Sequence, residues 1–202
     1  MPVVVLATRN RGKVREIGAV LARDGIVVRG LDEFPLAAEV EEDADTFEGN
    51  AAKKAQAAAE ATGLPALADD SGLVVDALDG EPGLYSARYG GPGLTDSQRC
   101  DHLLANLAGR GLDHSPARFV CVMALARPDG TVVTRRAEWA GVVRGPQRGA
   151  NGFGYDPLFE LPDRAVTAAM LDPVEKNRLS HRGQALALIL ALLAARPELL
   201  AA

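Results

Sequence analysis

Cysteine is almost missing from this 202-residue chain, with Cys100 and Cys121 as the whole complement. Two cysteines build no disulfide framework and match no metal-ligand spacing, and Cys121, set in an apolar run, reads as a core residue. Lysine is nearly as sparse: of 22 basic residues, Lys13, Lys53, Lys54 and Lys176 alone are lysine. In a chain that uses arginine by default, a compact ammonium marks places where a point charge has a task such as phosphate contact. An excess of positive charge is lacking too. The net charge of −5 speaks against nucleic acid as a partner, while leaving room for a locally basic pocket. No apolar run approaches the roughly 18 residues a membrane span needs, so no membrane partner is expected. There is no basic-then-apolar leader, since Met1-Pro2-Val3 runs straight into a strand-like segment, and a cytoplasmic protein is expected. Repeats, low-complexity tracts and linkers are absent. What remains, 48% hydrophobic and 24% charged, is the composition of a globular chain, read as a single domain over residues 1–202 with room for two lobes.

The most informative stretch is Ala66 to Val75, Ala-Leu-Ala-Asp-Asp-Ser-Gly-Leu-Val-Val. Two apolar runs flank adjacent carboxylates and a Ser-Gly. The pattern predicts two short strands with a bend at Gly72 and Asp69 and Asp70 in the turn between them. A carboxylate there suits a hard divalent cation, and equally an Asx-type turn that caps backbone N–H groups.

Upstream, Pro2 to Ala7 reads as a buried strand, Thr8 to Lys13 as a polar loop, and Val14 to Arg23 as a helix. A strand, a glycine-containing loop and a helix N-terminus can hold phosphate, with Lys13 adding charge, although Walker A spacing is absent. A plain turn with solvated Arg and Lys is the alternative. Ile26 to Val28 is a second strand candidate. The acidic run Glu39 to Asp45 leads into an Ala-rich helix capped by Asp45 or Thr46 and stopped at Gly63. On it Asn50 and Lys54 are four apart and share a face.

Downstream, Gly80 to Gly93 reads as loop, and Thr95-Asp96-Ser97-Gln98 is a capping box opening a helix to about Leu107. Ala117–Arg127 and Thr131–Val143 read as strands joined at Asp129-Gly130, with Trp139 packed on them. In the loop Gly145 to Phe159, glycines on both sides of Phe153 let backbone approach a planar ligand, and the ring could stack on a base. A loop plugged by its own aromatics is the other reading. Asp172-Pro173-Val174-Glu175 is a strong helix start. Lys176 in its first turn, and His181 and Arg182 ahead of a last apolar helix from Gln184 to about Ala195, stand against the helix dipole, which points to an anionic partner. His102 and His114 read as surface residues.

These segments together supply a metal-suited carboxylate, phosphate-suited lysines and a ring for a base, the inventory of a nucleotide pocket. In chain order, Thr8-x-Asn10-x-x-Lys13, Thr46-Phe47-x-x-Asn50-Ala51-x-x-Lys54-Ala55, Ala68-Asp69-Asp70-Ser71-Gly72-Leu73, Gly83-x-Tyr85-Ser86-Ala87-Arg88, Gly152-Phe153-Gly154-Tyr155-Asp156-Pro157 and Ser180-His181-Arg182 resemble the inosine triphosphate pyrophosphatase family (Ham1/RdgB-like). The motifs span nearly the whole chain.

The resemblance implies an α/β fold, an elongated mixed β-sheet flanked by helices, with two lobes and a nucleotide cleft between them. It implies a homodimeric, Mg²⁺-dependent pyrophosphatase that cleaves ITP, dITP and XTP to monophosphate and pyrophosphate and so keeps deaminated purines out of DNA and RNA. Thr8, Arg9, Asn10, Arg11, Gly12 and Lys13 would cradle the phosphates, and Lys54 would reach the triphosphate. Asp70 would be the catalytic carboxylate, holding Mg²⁺ and helping to activate water, with Glu42 a second metal-side carboxylate and Asp69 the alternate. Ser71 would contact the nucleotide. Phe153 would stack on the base, with Gly154, Tyr155, Asp156, Lys176, His181 and Arg182 completing the base and sugar site. Donors from Arg182 and a backbone N–H would favour a 6-oxo purine, because adenine would leave them unpaired.

Two departures stand out: Gly49 where the family commonly has Glu, with Glu48 one position earlier, and Ala169-Met170-Leu171 where it often has Ala-Glu-Leu. Two other functions fit the same parts. One is a pyrophosphatase of different specificity, Maf-like or acting on pyrimidine or dUTP substrates. The other is a regulator that binds nucleotide without turnover.

Overall fold

The computed structural model describes residues 1–35 and 40–201, apart from the side chains of Arg11 and Glu16. The chain opens with β1 (Val3–Leu6), α1 (Arg11–Arg23) and β2 (Val27–Gly30). β1 and β2 pair in parallel, Val3 opposite Val27, as the helical crossover between them requires. The helix starts three residues before Val14. Asn10 caps it, its Oδ1 accepting the Gly12 and Lys13 N–H groups at 2.9 and 3.3 Å, so Arg11, Gly12 and Lys13 form a first helical turn and not a loop.

Next come α2 (Phe47–Thr62) and β3 (Ala66–Val75). Thr46 is the α2 cap, and Gly63 takes the left-handed conformation at its end, φ 66°. β3 lies parallel to β1, Val5 opposite Ala66. The predicted bend at Gly72 does not exist: Ala66 to Val75 is one continuous strand, and Asp69 and Asp70 sit within it. The glycine serves close approach instead. A Cβ there would lie 2.2 Å from the Gly83 carbonyl oxygen and 2.7 Å from Ser86 Oγ.

The remaining elements are α3 (Asp96–Gly109), β4 (His114–Ala126), β5 (Val132–Arg144), β6 (Phe159–Leu161), β7 (Val166–Thr167), α4 (Pro173–Leu179) and α5 (His181–Ala195). The sheet order is β2-β1-β3-β4-β5-β6-β7, with β5, β6 and β7 antiparallel in turn, so parallel and antiparallel pairing share one mixed sheet. Helix α5 begins at His181, three residues earlier than Gln184, and despite its apolar composition it buries one face only. Leu186, Ile189 and Leu193 face the core, whereas Leu188 stays 44% exposed. No described helix is long and apolar enough to cross a membrane.

The chain divides into two compact units, one of residues 1–70, 121–137 and 182–202, the other of residues 71–120 and 138–181. The first has a core of Val4, Leu6, Ile17, Leu21, Leu67, Cys121, Met123, Leu125, Leu186 and Ile189. In the second, Leu73, Leu103, Leu107, Leu158 and Phe159 pack with Phe119 and Trp139, the Trp139 and Phe159 ring centroids 5.2 Å apart.

Candidate active site

Charged side chains are seldom buried without a task, and the buried ones here are few. Among the described residues of the first unit they are Asp69, Asp70 and Arg182, joined by the polar Asn50. Asn50 and Lys54 project from one face of α2 onto Asp70. Asn50 Nδ2 donates to Asp70 Oδ2 at 3.2 Å, and Lys54 Nζ lies 3.4 Å from Asp70 Oδ1. The other end of the Asn50 amide accepts the Ala44 N–H at 2.9 Å. This pins the segment ahead of α2, so that Glu42 Oε1 comes 2.5 Å from the same Lys54 ammonium. Glu39, the first residue of the acidic run, lies outside the described residues. Glu41, Asp43 and Asp45 are exposed.

Two carboxylates therefore converge on one cation, the Lys54 ammonium. Among the described residues no three His, Cys, Asp or Glu side chains gather into a cage. Mg²⁺ does not need one, because it binds through one or two carboxylates together with substrate phosphates and waters. Glu42 and Asp70 fit that requirement.

Adjacent strand residues face opposite ways, and the two aspartates meet different surroundings. Asp69 Oδ2 is 2.9 Å from Lys13 Nζ and 3.4 Å from both Nε and Nη2 of Arg182. Burial alone would push its carboxyl up, but the Lys13, Arg182 and Lys54 charges overcome this and hold it well below the usual carboxylate range. Burial also pushes Asp70 up. Lys54 pulls against it, Glu42 adds to it, and the balance stays above the ordinary value. For Lys54 burial works against the charge, yet Asp70, Asp69 and Glu42 together raise it.

At the α1 N-terminus, Thr8 Oγ1 accepts the Asn10 N–H at 3.2 Å, so Thr8 and Asn10 shape the turn while Arg9 is exposed. The side chain of Arg11 lies outside the described residues. Gly49 suits its place: a Cβ would lie 2.8 Å from Ala44 Cβ and 3.1 Å from Thr46 Oγ1, against the segment that carries Glu42. Glu48 reaches Arg136 at 2.9 Å instead of Asp70.

In the second unit the buried charged pair is Asp156 with Lys176, Oδ2 to Nζ 2.7 Å. Because α4 is only seven residues long, Lys176 falls in its last turn and does not stand against the dipole as expected, and the anionic group it meets belongs to the chain itself. The same Asp156 oxygen accepts the Phe153 N–H at 2.8 Å, and Lys176 Nζ lies 4.9 Å from the centre of the Phe153 ring, within cation–π range. Gly152 is obligatory, with φ 76° and a Cβ position 2.1 Å from Asp156 Oδ2. Gly154 donates its N–H to Asp96 Oδ2 at 2.7 Å. Tyr155 is buried and its hydroxyl donates to the Ser86 carbonyl at 2.9 Å, which makes it a brace under the loop. Ser86 Oγ in turn accepts the Leu73 N–H at 2.9 Å, beside the half-buried Ser71 of β3. His181 is buried with its ring stacked on Phe119, centroids 4.7 Å apart. Met170 is 47% exposed, while backbone holds its neighbour, the Ala169 carbonyl accepting the Asn151 N–H at 3.0 Å.

The first unit thus brings together Glu42, Lys54 and Asp70, and separately Lys13, Asp69 and Arg182. The second brings together Phe153, Asp156 and Lys176. The sequence reading paired Asn50 with Lys54 on a helix face suited to a charged ligand but carried only Lys54 into the site, and it assigned no site role to Asp96 or Ser86. Asp96 was hidden inside a capping box, which explains a helix start without any further function.

A model of the Ham1 family matches residues 4–192. The dITP/XTP pyrophosphatase of Geobacter sulfurreducens is 51% identical over 186 residues, 92% of this chain and 94% of that protein. That of Desulforamulus reducens is 51% identical over 183 residues, 91% of each. Among solved structures, a HAM1 protein from Coxiella burnetii aligns with a TM-score of 0.89 at 42% identity, covering 96% of this chain and all of that one. The Staphylococcus aureus Ham1 protein gives 0.85 at 38% identity, covering 96% and 98%.

Proposed function

The chain belongs to the Ham1 family, and from that premise we propose that it hydrolyses the non-canonical purine triphosphates ITP, dITP and XTP. The bond broken lies between the α- and β-phosphorus atoms, water adds across it, and the products are nucleoside monophosphate and pyrophosphate. The task is removal of deaminated purines from the nucleotide pool. A homodimer in the cytoplasm is part of the same proposal.

One observation carries it: Glu42 and Asp70 converge on a single cation position, held there by Asn50. A phosphoryl-transfer site needs positioning and charge neutralisation more than covalent help. Bound Mg²⁺ would supply positive charge against the triphosphate and acidify water. Asp70 and Glu42 would hold it. Asp70, with its carboxyl raised by burial, is the group placed to take a proton from water. Lys54 neutralises the triphosphate, and Lys13 with Thr8, Arg9, Asn10, Arg11 and Gly12 lines its far end. Asp69 acts as the counter-ion that positions Lys13 and Arg182. Ser71 contacts the nucleotide. Phe153 stacks on the base, supported by Gly154, Tyr155, Asp156 and Lys176, while Arg182 and His181 read its edge. Phosphorus NMR of dITP hydrolysis tests the bond broken. Monophosphate and pyrophosphate are expected; diphosphate with inorganic phosphate would contradict the assignment.

A further inference from the structure

Two residues one turn apart on α3 grip both backbone polar groups of a single loop residue. Asp96 Oδ2 accepts the Gly154 N–H at 2.7 Å, and the Cys100 thiol lies 3.5 Å from the Gly154 carbonyl oxygen as its donor. Residues four apart share a helix face, so one rigid surface fixes the peptide groups on either side of Gly154. The same helix holds the loop a second time, where the Gln147 side chain donates to the Ser97 carbonyl at 3.2 Å and to Asp101 Oδ1 at 2.8 Å. Burial, with Asp96, Asp101 and Asp156 nearby, pushes the Cys100 thiol up to about 12, so it keeps the proton it donates. The cap of α3 comes from elsewhere: Thr95 and Gln98 close the capping box. The Asp96 contact with Gly154 therefore has another purpose.

We propose that Asp96 and Cys100 are positioning residues for the base, fixing Gly154 and through it the plane of the adjacent Phe153 ring. This rests on Phe153 being the base-stacking residue. On its other side the ring is set by Asp156, which takes the Phe153 N–H and the Lys176 ammonium together. Phe153 is thus oriented by two carboxylates, Asp156 of its own loop, held by Lys176 of α4, on its own N–H and Asp96 of α3 on the next.

The test is steady-state kinetics with dITP. Phe153→Ala should raise KM about tenfold or more. Asp96→Ala and Cys100→Ala should each raise KM about three- to tenfold with kcat within about twofold, as expected for a contact equal in ground and transition states. Asp96→Asn, which keeps an acceptor, and Cys100→Ser, which keeps a donor, should restore most of the loss. In a Phe153→Ala background, Asp96→Ala should add nothing, because its effect travels through the ring. An unchanged KM in both single variants, with Phe153→Ala impaired, overturns the positioning role alone. So does an Asp96→Ala penalty that is the same with and without Phe153. An unchanged KM in Phe153→Ala overturns the stacking assignment itself. Should Asp96→Ala fail to fold, Cys100→Ala and its serine counterpart decide the question.

Discussion

Asp69 and Asp70 are neighbours on β3, yet their carboxyl groups are driven in opposite directions. Asp69 is held low by Lys13 and Arg182, and Asp70 is raised by burial and by Glu42 despite Lys54. Opposed environments on paired carboxylates separate their roles. In the proposed mechanism the one locked between cations is a counter-ion, and the one facing the Lys54 ammonium together with Glu42 is the group for chemistry.

Substitution should separate the two. Asp70→Asn should lose at least about 10²-fold in kcat with folding retained. Asp69→Asn should instead destabilise the protein by about 3–5 kcal/mol, because the buried Arg182 and the part-buried Lys13 would lose their counter-charge. Urea unfolding and kcat on both variants check this. Loss of activity without loss of stability in Asp69→Asn would reverse the assignment.

The Asp69 penalty should depend on pH in a set direction. Its folded carboxyl titrates below its unfolded value of about 4, so its contribution is complete above that value and fades as pH falls through the folded one. Unfolding measured from pH 7 downward should show wild type and Asp69→Asn converging below about pH 4.

Asp70 makes the kinetic counterpart. In the proposed mechanism its ionised form holds the metal, so activity should fall as pH drops through its raised value. A divalent cation favours the ionised form. The acid limb of kcat/KM should therefore move to lower pH as Mg²⁺ is raised, and a limb indifferent to Mg²⁺ would place Asp70 away from the metal.

Lys54 occupies the position between Glu42 and Asp70. On the proposed reading, Lys54→Ala removes a cation that competes with Mg²⁺ along with a charge on the triphosphate. The Mg²⁺ concentration for half-maximal activity should fall while kcat drops about 10²-fold, the scale of a lost electrostatic stabiliser. Titration of Mg²⁺ at saturating dITP reads both.

Gly72→Ala should destabilise by about 1–3 kcal/mol or more through overpacking, since its Cβ would meet the Gly83 carbonyl at 2.2 Å. Thermal unfolding measures it.

Local chemistry was the legible part. Thr46, Thr95 and Asp172 stand at helix starts in the sequence and cap them in the structure, whereas Asn10, read as loop, caps a helix that begins earlier than its apolar pattern. The spacing of four placed Asn50 and Lys54 on one face of α2. The motif order also carried the family. Long-range pairing was hidden: nothing local to Asp69 says that Arg182 closes on it, or that Asp156 and not an external anion answers Lys176. Gly72 misled for a related reason. A glycine between apolar runs signals a bend, but here a distant carbonyl requires it. Asp96 has a sufficient local explanation and so concealed its contact with Gly154.

The most direct measurement is pyrophosphate release from dITP, XTP, dATP, dGTP and dUTP, each with and without Mg²⁺. Mg²⁺-dependent release confined to dITP and XTP, and abolished in Asp70→Asn, is the predicted result. Faster turnover of dUTP would contradict the purine assignment, and binding of dITP without release from any substrate would contradict catalysis itself.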